Sequence, residues 1–241
     1  MINRLSRQIS IPMSACDNTG RLGCYGAVNL FMDMATEHGD MLGVGGDKLA
    51  SKGLIWVAAK TKIHFNTKPK MLAKAELATW PEKPARIRFN RYYSLSDGEN
   101  LLVEGKTEWA ILDLNTGRPH RLDETYPVDM EHCTDVVCST PFSRTSTDFE
   151  DCQQFGSYTV SASDIDVSQH MNNVAYIRAV LGAFTVKEIE DMNITDMEIC
   201  YRLQCFEGEQ LAFRRRTADD GALEIGVIKA DGKTAATLRI A

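Results

Sequence analysis

The feature that most limits what this chain can fold into is that it repeats itself. Written one under the other, "DNTGRLGCYGAVNLFMDMA" from Asp17 and "DVSQHMNNVAYIRAVLGAF" from Asp166 pair Asp17 with Asp166, Leu22 with Met171 and Val28 with Ile177, at an offset of 149. Apolar residues recur at Val28, Phe31, Ala35 and Leu42 in the first copy, and at Met171, Val174, Ile177, Leu181 and Phe184 in the second. Steps of three and four predict a helix with one buried face in each. Strand-like segments follow both helices. "KIHFNTKPKMLAKAELAT" from Lys62 aligns with "EICYRLQCFEGEQLAFRRRT" from Glu198 at an offset of 136, pairing Ile63 with Ile199, Phe65 with Tyr201 and Leu77 with Phe213. The smaller offset leaves the first copy about 13 extra residues between helix and strand, in "GVGGDKLASKGLIWV". Each copy closes on an Asp-Gly pair between two strand-like runs, Asp97-Gly98 and Asp231-Gly232, which is a hairpin signal.

Each copy is thus expected to be a strand, a long helix and several antiparallel strands, an α+β layer in which a sheet wraps one helix. The copies span residues 1–125 and 153–241. Residues 126–152, with Pro127, Pro141 and the polar run "STPFSRTSTDFED", read as a linker.

Composition narrows the function classes. With 241 residues and 44% hydrophobic content the chain can bury a core, and a formal charge of −6 argues against broad nucleic-acid binding. Basic candidates for a partner surface are "RIRFNR" at 86–91 and "RRR" at 214–216, residue types that also occur as plain solvated strand faces. Seven cysteines without C-x-x-C spacing indicate neither a disulfide framework nor a zinc site, so no metal or redox cofactor is expected and a reducing compartment fits. No apolar run is long enough to span a membrane, and the first fifteen residues lack a signal-peptide core, so a cytoplasmic, bacterial setting is expected.

The chemistry-bearing stretch is "DIDVSQHMNN", residues 164–173, at the entrance to the second helix. Ser, Asp and Asn cap helix starts, but one or two suffice for that. A strand, a D-x-x-x-H turn and a helix wrapped by antiparallel strands resemble the hotdog fold. Two in tandem, with Gly53-Leu54-Ile55-Trp56-Val57, Thr79-Trp80, Trp109 followed by Thr116-Gly117-Arg118-Pro119, and Asp166-x-x-x-His170-x-Asn172-Asn173 in that order, resemble the acyl-acyl-carrier-protein (acyl-ACP) thioesterases of plants and bacteria over nearly the whole chain.

The resemblance implies a tandem hotdog that hydrolyses the thioester joining a fatty acyl chain to the phosphopantetheine arm of the carrier protein. In that family the second hotdog carries the catalytic residues and the first shapes the acyl pocket. The division of labour fits, because Arg21 stands where the second copy has His170, and an arginine stays protonated and cannot act as a base. Hydrolysis needs an activated water or nucleophile and stabilisation of an oxyanion. Asp166 is expected to attack or to orient water, with His170 exchanging protons or holding the substrate carbonyl. The backbone amides of Met171, Asn172 and Asn173, at the positive end of a helix, are the expected oxyanion donors. The Asn172 and Asn173 side chains are read as shaping the turn.

Two positions depart from the family pattern. Ser168 replaces an asparagine, keeping a hydroxyl but losing an amide, and Gln204 replaces a strand glutamate, able to orient water but not to take its proton. General-base duty then falls on Asp166 or His170. Cys205, beside Gln204, is the alternative nucleophile if paired with His170 in the manner of papain-type enzymes, and a small packing residue otherwise. The acyl pocket is expected around Met32, Met34, Met41 and Trp56, where flexible thioethers suit a polymethylene chain. The competing functions are an acyl-coenzyme A or polyketide thioesterase, and a catalytically weak acyl-binding hotdog protein. Hotdog units pair across an interface, which a tandem chain supplies internally, so either a monomeric pseudo-dimer or a homodimer is expected.

Overall fold

The computed structural model of the chain describes residues 3–126 and 131–241, so Pro127 of the expected linker lies outside the described residues. By their internal contacts the residues form two compact units, Met1–Thr140 and Pro141–Ala241.

In the first unit, β1 (Leu5–Ser10) leads through a 3-10 turn at Met13–Ala15 to α1 (Cys24–Met41) and the short α2 (Gly46–Ala50). Then come β2 (Leu54–Phe65), β3 (Lys74–Pro81), β4 (Phe89–Asp97), β5 (Asn100–Asp113) and the two-residue β6 (Pro119–His120). The strands pair antiparallel in the order β1-β3-β4-β5-β2, with β6 added to β5. The buried face of α1, with Val28, Phe31, Met34 and His38, lies at the repeat spacing that predicted it.

The second unit repeats this topology strand for strand. β7 (Gln153–Thr159), a 3-10 turn at Ala162–Asp164, α3 (Asn173–Leu181) and α4 (Val186–Met192) precede β8 (Asp196–Tyr201), β9 (Gln210–Thr217), β10 (Leu223–Lys229) and β11 (Thr234–Ile240). The order β7-β9-β10-β11-β8 is the first unit's order carried over. Both Asp-Gly pairs sit at hairpins, with Gly98 at φ +61° and Gly232 at φ +82°, a backbone region that only glycine enters at no steric cost. The tandem hotdog, an α+β fold, is what the structure has.

The helices are unequal. α1 runs for 18 residues and α3 for 9, so the long second helix expected through Phe184 is corrected to one that stops at Leu181. Thr185 explains the break: its hydroxyl accepts from Glu188 N–H while the Glu188 carboxylate accepts from Thr185 N–H, a capping box that starts α4 afresh. Phe184 leaves the helix face and packs against Phe155, ring centroids 4.6 Å apart and the planes tilted by 32°.

The segment expected to be a linker has no helix or strand in residues 131–152, yet it is tied to each sheet. In the first unit Trp80 Nε1 donates to Asp135 O at 2.8 Å, and Lys106 Nζ to Thr140 O at 2.6 Å. In the second, Thr234 Oγ1 donates to Thr147 O at 2.6 Å, and buried Phe149 covers Gly226, where a Cβ would come within 2.6 Å of its ring. These straps account for strands such as β4 being buried on both faces. They also absorb the basic run: Arg214 donates to Phe149 O at 3.0 Å and Arg216 to Asp148 O at 2.9 Å, while Arg216 also pairs with Glu224 of β10 at 2.6 Å. Of the other basic run, Arg88 pairs with Glu108 at 3.0 Å and Arg91 is buried.

Candidate active site

The strongest lead to a site is a comparison of equivalent turns. In the second unit the chain passes from the 3-10 turn into Asp166–His170 and then α3. Asp166 N–H donates to His170 O (3.3 Å), Gln169 N–H to Asp166 O (2.9 Å), Met171 N–H to Cys205 O (2.8 Å) and Asn172 N–H to Asp164 O (2.8 Å). In the first unit Asp17 N–H donates to Arg21 O (2.8 Å), Gly20 N–H to Asp17 O (3.0 Å), Leu22 N–H to Pro69 O (2.9 Å) and Gly23 N–H to Ala15 O (3.1 Å). Every bond has its counterpart at the repeat offsets. The side chains agree too: Asp166 Oδ1 accepts from Ser168 N–H at 2.8 Å and from the Ser168 hydroxyl, as Asp17 Oδ1 accepts from Thr19 N–H at 2.9 Å and the Thr19 hydroxyl at 2.5 Å. Gln169 at φ +63° stands where the first copy has Gly20 at φ +71°. The aspartate therefore builds an Asx turn in both halves, whatever else it does.

What differs is position 170. In the first unit Arg21 Nη1 donates to Lys68 O at 2.8 Å, which ties the side chain down. The equivalent carbonyl in the second unit, that of Gln204, is taken by Lys229 Nζ at 2.9 Å, so the residue at 170 is released from that duty. His170 is half-buried and its Nδ1 lies 3.2 Å from Met171 O. A carbonyl only accepts, so this contact assigns the proton to Nδ1 and leaves Nε2 with its lone pair.

The remaining expected residues fall into place unevenly. Among the described residues Asp166 Oδ2 has no donor, and the side chain is exposed, so it can still hold a water. The Ser168 hydroxyl has given its proton to Asp166 and cannot donate to water. Of the three amides expected as an oxyanion hole, two are corrected: Met171 N–H and Asn172 N–H are bonded to Cys205 O and Asp164 O. A donor already spanning 2.8 Å to a carbonyl has no hydrogen left for an oxyanion. Asn173 N–H, the first of α3, has no acceptor among the described residues. The Asn172 side chain caps α3, Oδ1 accepting from Val174 N–H (2.9 Å) and Ala175 N–H (2.8 Å), as its turn-shaping role required.

Gln204 is exposed, and among the described residues its side-chain amide has no partner. Cys205 is fully buried, and burial pushes its thiol up, away from thiolate. That weighs against the alternative nucleophile. In the first unit Met34 is buried, Met32 half-buried, and Trp56 donates Nε1–H to Val44 O at 2.8 Å amid Phe89, Trp109 and Tyr126. Met41 is corrected: it is 46% exposed at the last turn of α1, where Leu42 turns inward in its place.

One participant went unassigned in the sequence reading. Asp164 is fully buried and accepts from Tyr158 Oη (2.7 Å), Ser161 N–H (2.8 Å), the Ser161 hydroxyl (2.8 Å) and Arg178 of α3. Burial alone would raise its carboxyl, but Ser161, Tyr158 and Arg178 together hold it below the ordinary value. Its carbonyl receives Asn172 N–H, so both ends of this residue fasten α3 to the His170 turn. The signal was present in the repeat, where Asp164 faces Ala15 and a charge replaces a methyl. A carboxylate that can hold water, an imidazole with a free Nε2 and one unbonded amide make an arrangement suited to water-mediated acyl transfer.

Among the described residues no helix is long and apolar enough to cross a membrane, and no group of three or more His, Cys, Asp or Glu side chains could hold a metal ion. Known proteins resemble most of the chain. The acyl-ACP thioesterase N-terminal domain matches residues 3–128 and the acyl-ACP thioesterase C-terminal domain residues 148–240. A chloroplastic acyl-[acyl-carrier-protein] hydrolase of Cuphea viscosissima is 24% identical over 192 residues, which is 74% of this chain and 46% of that protein. A chloroplastic palmitoyl-acyl carrier protein thioesterase of Arabidopsis thaliana is 27% identical over 223 residues, 85% of this chain and 52% of that one. The chain thus spans about half the length of the curated relatives it matches. In fold it is similar to the crystal structure of an acyl-ACP thioesterase from Bacteroides thetaiotaomicron, with TM-score 0.87 and 22% identity, covering 99% of this chain and 97% of that one. A 12:0-ACP thioesterase from Umbellularia californica gives TM-score 0.77 at 17% identity, covering 98% and 96%. With both of its halves matched in order, the chain belongs to the acyl-ACP thioesterase family.

Proposed function

We propose that the chain hydrolyses fatty acyl-ACP thioesters to free fatty acid and holo-carrier protein, through water activated at His170 and Asp166. The observation that carries this reading is the contact of His170 Nδ1 with Met171 O: a carbonyl accepts, so the proton is assigned to Nδ1 and Nε2 is left as the proton acceptor. Nε2 takes a proton from a water held by the free oxygen of Asp166, and the hydroxide adds to the thioester carbonyl. Asn173 N–H, at the positive end of α3, is the backbone donor left to face the developing oxyanion. Collapse of the adduct expels the phosphopantetheine sulfur, an easy leaving group with a thiol pKa near 8.5. Its proton returns from the imidazolium. The acyl carrier protein is the partner this reading requires, and no cofactor enters the chemistry.

The test is thiol release from an acylated carrier protein, followed with a chromogenic disulfide in native chain and in His170→Ala. Turnover in the native chain and its loss in the variant are expected. Undiminished turnover in His170→Ala removes the imidazole from the mechanism. Gln204 favours a second reading, because no carboxylate stands at that position: the chain then binds acyl groups without cleaving them. Binding without thiol release would establish that, and release from acyl-coenzyme A in preference to the carrier protein would change the substrate rather than the chemistry.

A further inference from the structure

The core face of the first sheet carries a polar band where a hotdog would be expected to bury carbon. Strand register sets Arg91 of β4 opposite Thr107 of β5, and Thr107 opposite Thr61 of β2, one row of polar side chains across the sheet. Two residues along β4, Tyr93 lies on the same face, with Thr79 of β3 opposite. All five are cut off from solvent, Arg91 at 3% exposure and the others at 1% or less. Arg91 reaches α1, its Nη1 lying 2.9 Å from Nδ1 of buried His38.

The balance of donors and acceptors in this band is one-sided. Arg91 brings five N–H groups. Its partners are His38 Nδ1, Thr79 Oγ1 at 3.4 Å and Tyr126 Oη at 3.4 Å, all neutral acceptors, and among the described residues no carboxylate pairs with it. Thr61 and Thr107 share a single hydrogen bond of 3.1 Å, which leaves one hydroxyl proton over. Tyr93 Oη and Trp109 Nε1 are buried without a well-formed hydrogen bond; Thr107 and Trp109 are near enough to interact with the Tyr93 hydroxyl, and neither is a carboxylate. A buried guanidinium without an anion is unfavourable, as are buried donors whose hydrogen bonds are poorly made, and a protein retains such groups chiefly where something else completes them. What completes this set is an anion rich in acceptor oxygens. The surroundings are carbon: Phe31 stacks on Tyr93 with ring centroids 4.8 Å apart, and Phe89 and Ile63 are buried in the neighbouring rows.

We propose that the first unit binds, at Arg91, Tyr93 and Trp109, a carboxylate carried on an aliphatic chain. A guanidinium fork and two neutral donors suit one carboxylate, whose oxygens accept about four bonds between them. Two sources share this chemistry: a free fatty acid, which is the product of the hydrolysis proposed above, and an acyl substrate with a second carboxyl at its far end. The site stands beside the hydrolase reading and does not need it.

The experiment compares lauric acid with lauryl alcohol, which share a chain and differ in the head group, by calorimetric titration of the full chain and by quenching of its tryptophan fluorescence. The acid is expected to bind about tenfold tighter or better, the difference that one charge-assisted interaction supplies. Arg91→Met, long and neutral, should erase that preference, and Tyr93→Phe should narrow it while leaving the fold in place. If Arg91→Met does not fold, Tyr93→Phe and Trp109→Phe carry the test. Equal affinities in the native chain, or a preference that survives these substitutions, would overturn the proposal and leave the band to ordered water. Faster turnover of a thioester bearing a free far-end carboxyl identifies the substrate as the source, and inhibition by lauric acid alone identifies the product. Should no thioester be cleaved while the acid still outbinds the alcohol, the hydrolase reading falls and the binding site stands.

Discussion

The turn opened by Asp17 and the turn opened by Asp166 are built from the same hydrogen bonds, yet only the second ends in a residue able to move a proton. In the first, Arg21 is consumed in holding Lys68 O; in the second, Lys229 takes over that carbonyl and His170 is left with a free nitrogen. The two halves thus share one scaffold, an Asx turn and a helix start, and differ by one substitution and one replacement donor, which on the proposed function is what turns the second into a site. The comparison also warns against assigning Asp166 a role from its position alone, since Asp17 occupies the same position without chemistry.

Paired substitutions can break that symmetry or sharpen it. The largest effect is expected at the histidine: His170→Ala should lower thiol release by about 100-fold or more, the scale of general-base catalysis, whereas Arg21→Ala should alter the rate by less than about threefold. The aspartates come next. Asp166→Asn should remove most activity, and Asp17→Asn should not, while both lose comparable stability in denaturant melts because both lose the charge of an Asx turn. Equal activity per folded molecule in the two variants would reduce Asp166 to a turn residue.

The helices offer a structural version of the same comparison. A Cβ on Gly26 of α1 would meet Ala15 O at 2.0 Å, whereas the equivalent residue in α3 is Ala175. Gly26→Ala should thus cost about 3 kcal/mol of overpacking, and Ala175→Gly about 1 kcal/mol of helix propensity, both readable from denaturant midpoints. Asp164 predicts a dependence on pH. Its folded carboxyl titrates below its unfolded value of about 3.9, so the stability it contributes is present above that value and is lost as pH falls through the folded one. Unfolding midpoints of Asp164→Asn should therefore fall less steeply than those of the native chain below about pH 4. The smallest effect is expected at Cys205, buried with its thiol pushed up: iodoacetamide should leave turnover intact.

Much of the fold could be read in advance because a repeat reports topology without any need to fold the chain. The paired helices, the paired Asp-Gly hairpins and the equivalence of Asp17 with Asp166 all follow from spacing, and the strand orders of the two units agree with it. The candidate site was legible as a stretch but not as a set of working atoms. Ser168 looked like a water ligand until its hydroxyl was seen to be given to Asp166, and the amides of Met171 and Asn172 looked free until Cys205 O and Asp164 O were seen to hold them. Asp164 carried no role of its own in the sequence, since nothing in its neighbourhood names Tyr158 and Arg178 as its partners.

Sequence by itself determined the duplication, the α+β class and the equivalence of the two helix-entry turns, because periodicity and residue type are local properties. Tertiary structure alone decided the length of the second helix, the exposure of Met41, which donors remain unbonded and the gathering of Arg91, Tyr93 and Trp109 beneath α1. The physical reason is that a hydrogen bond uses up its donor, and the acceptor that uses it can lie anywhere along the chain: Cys205 for Met171, His38 for Arg91.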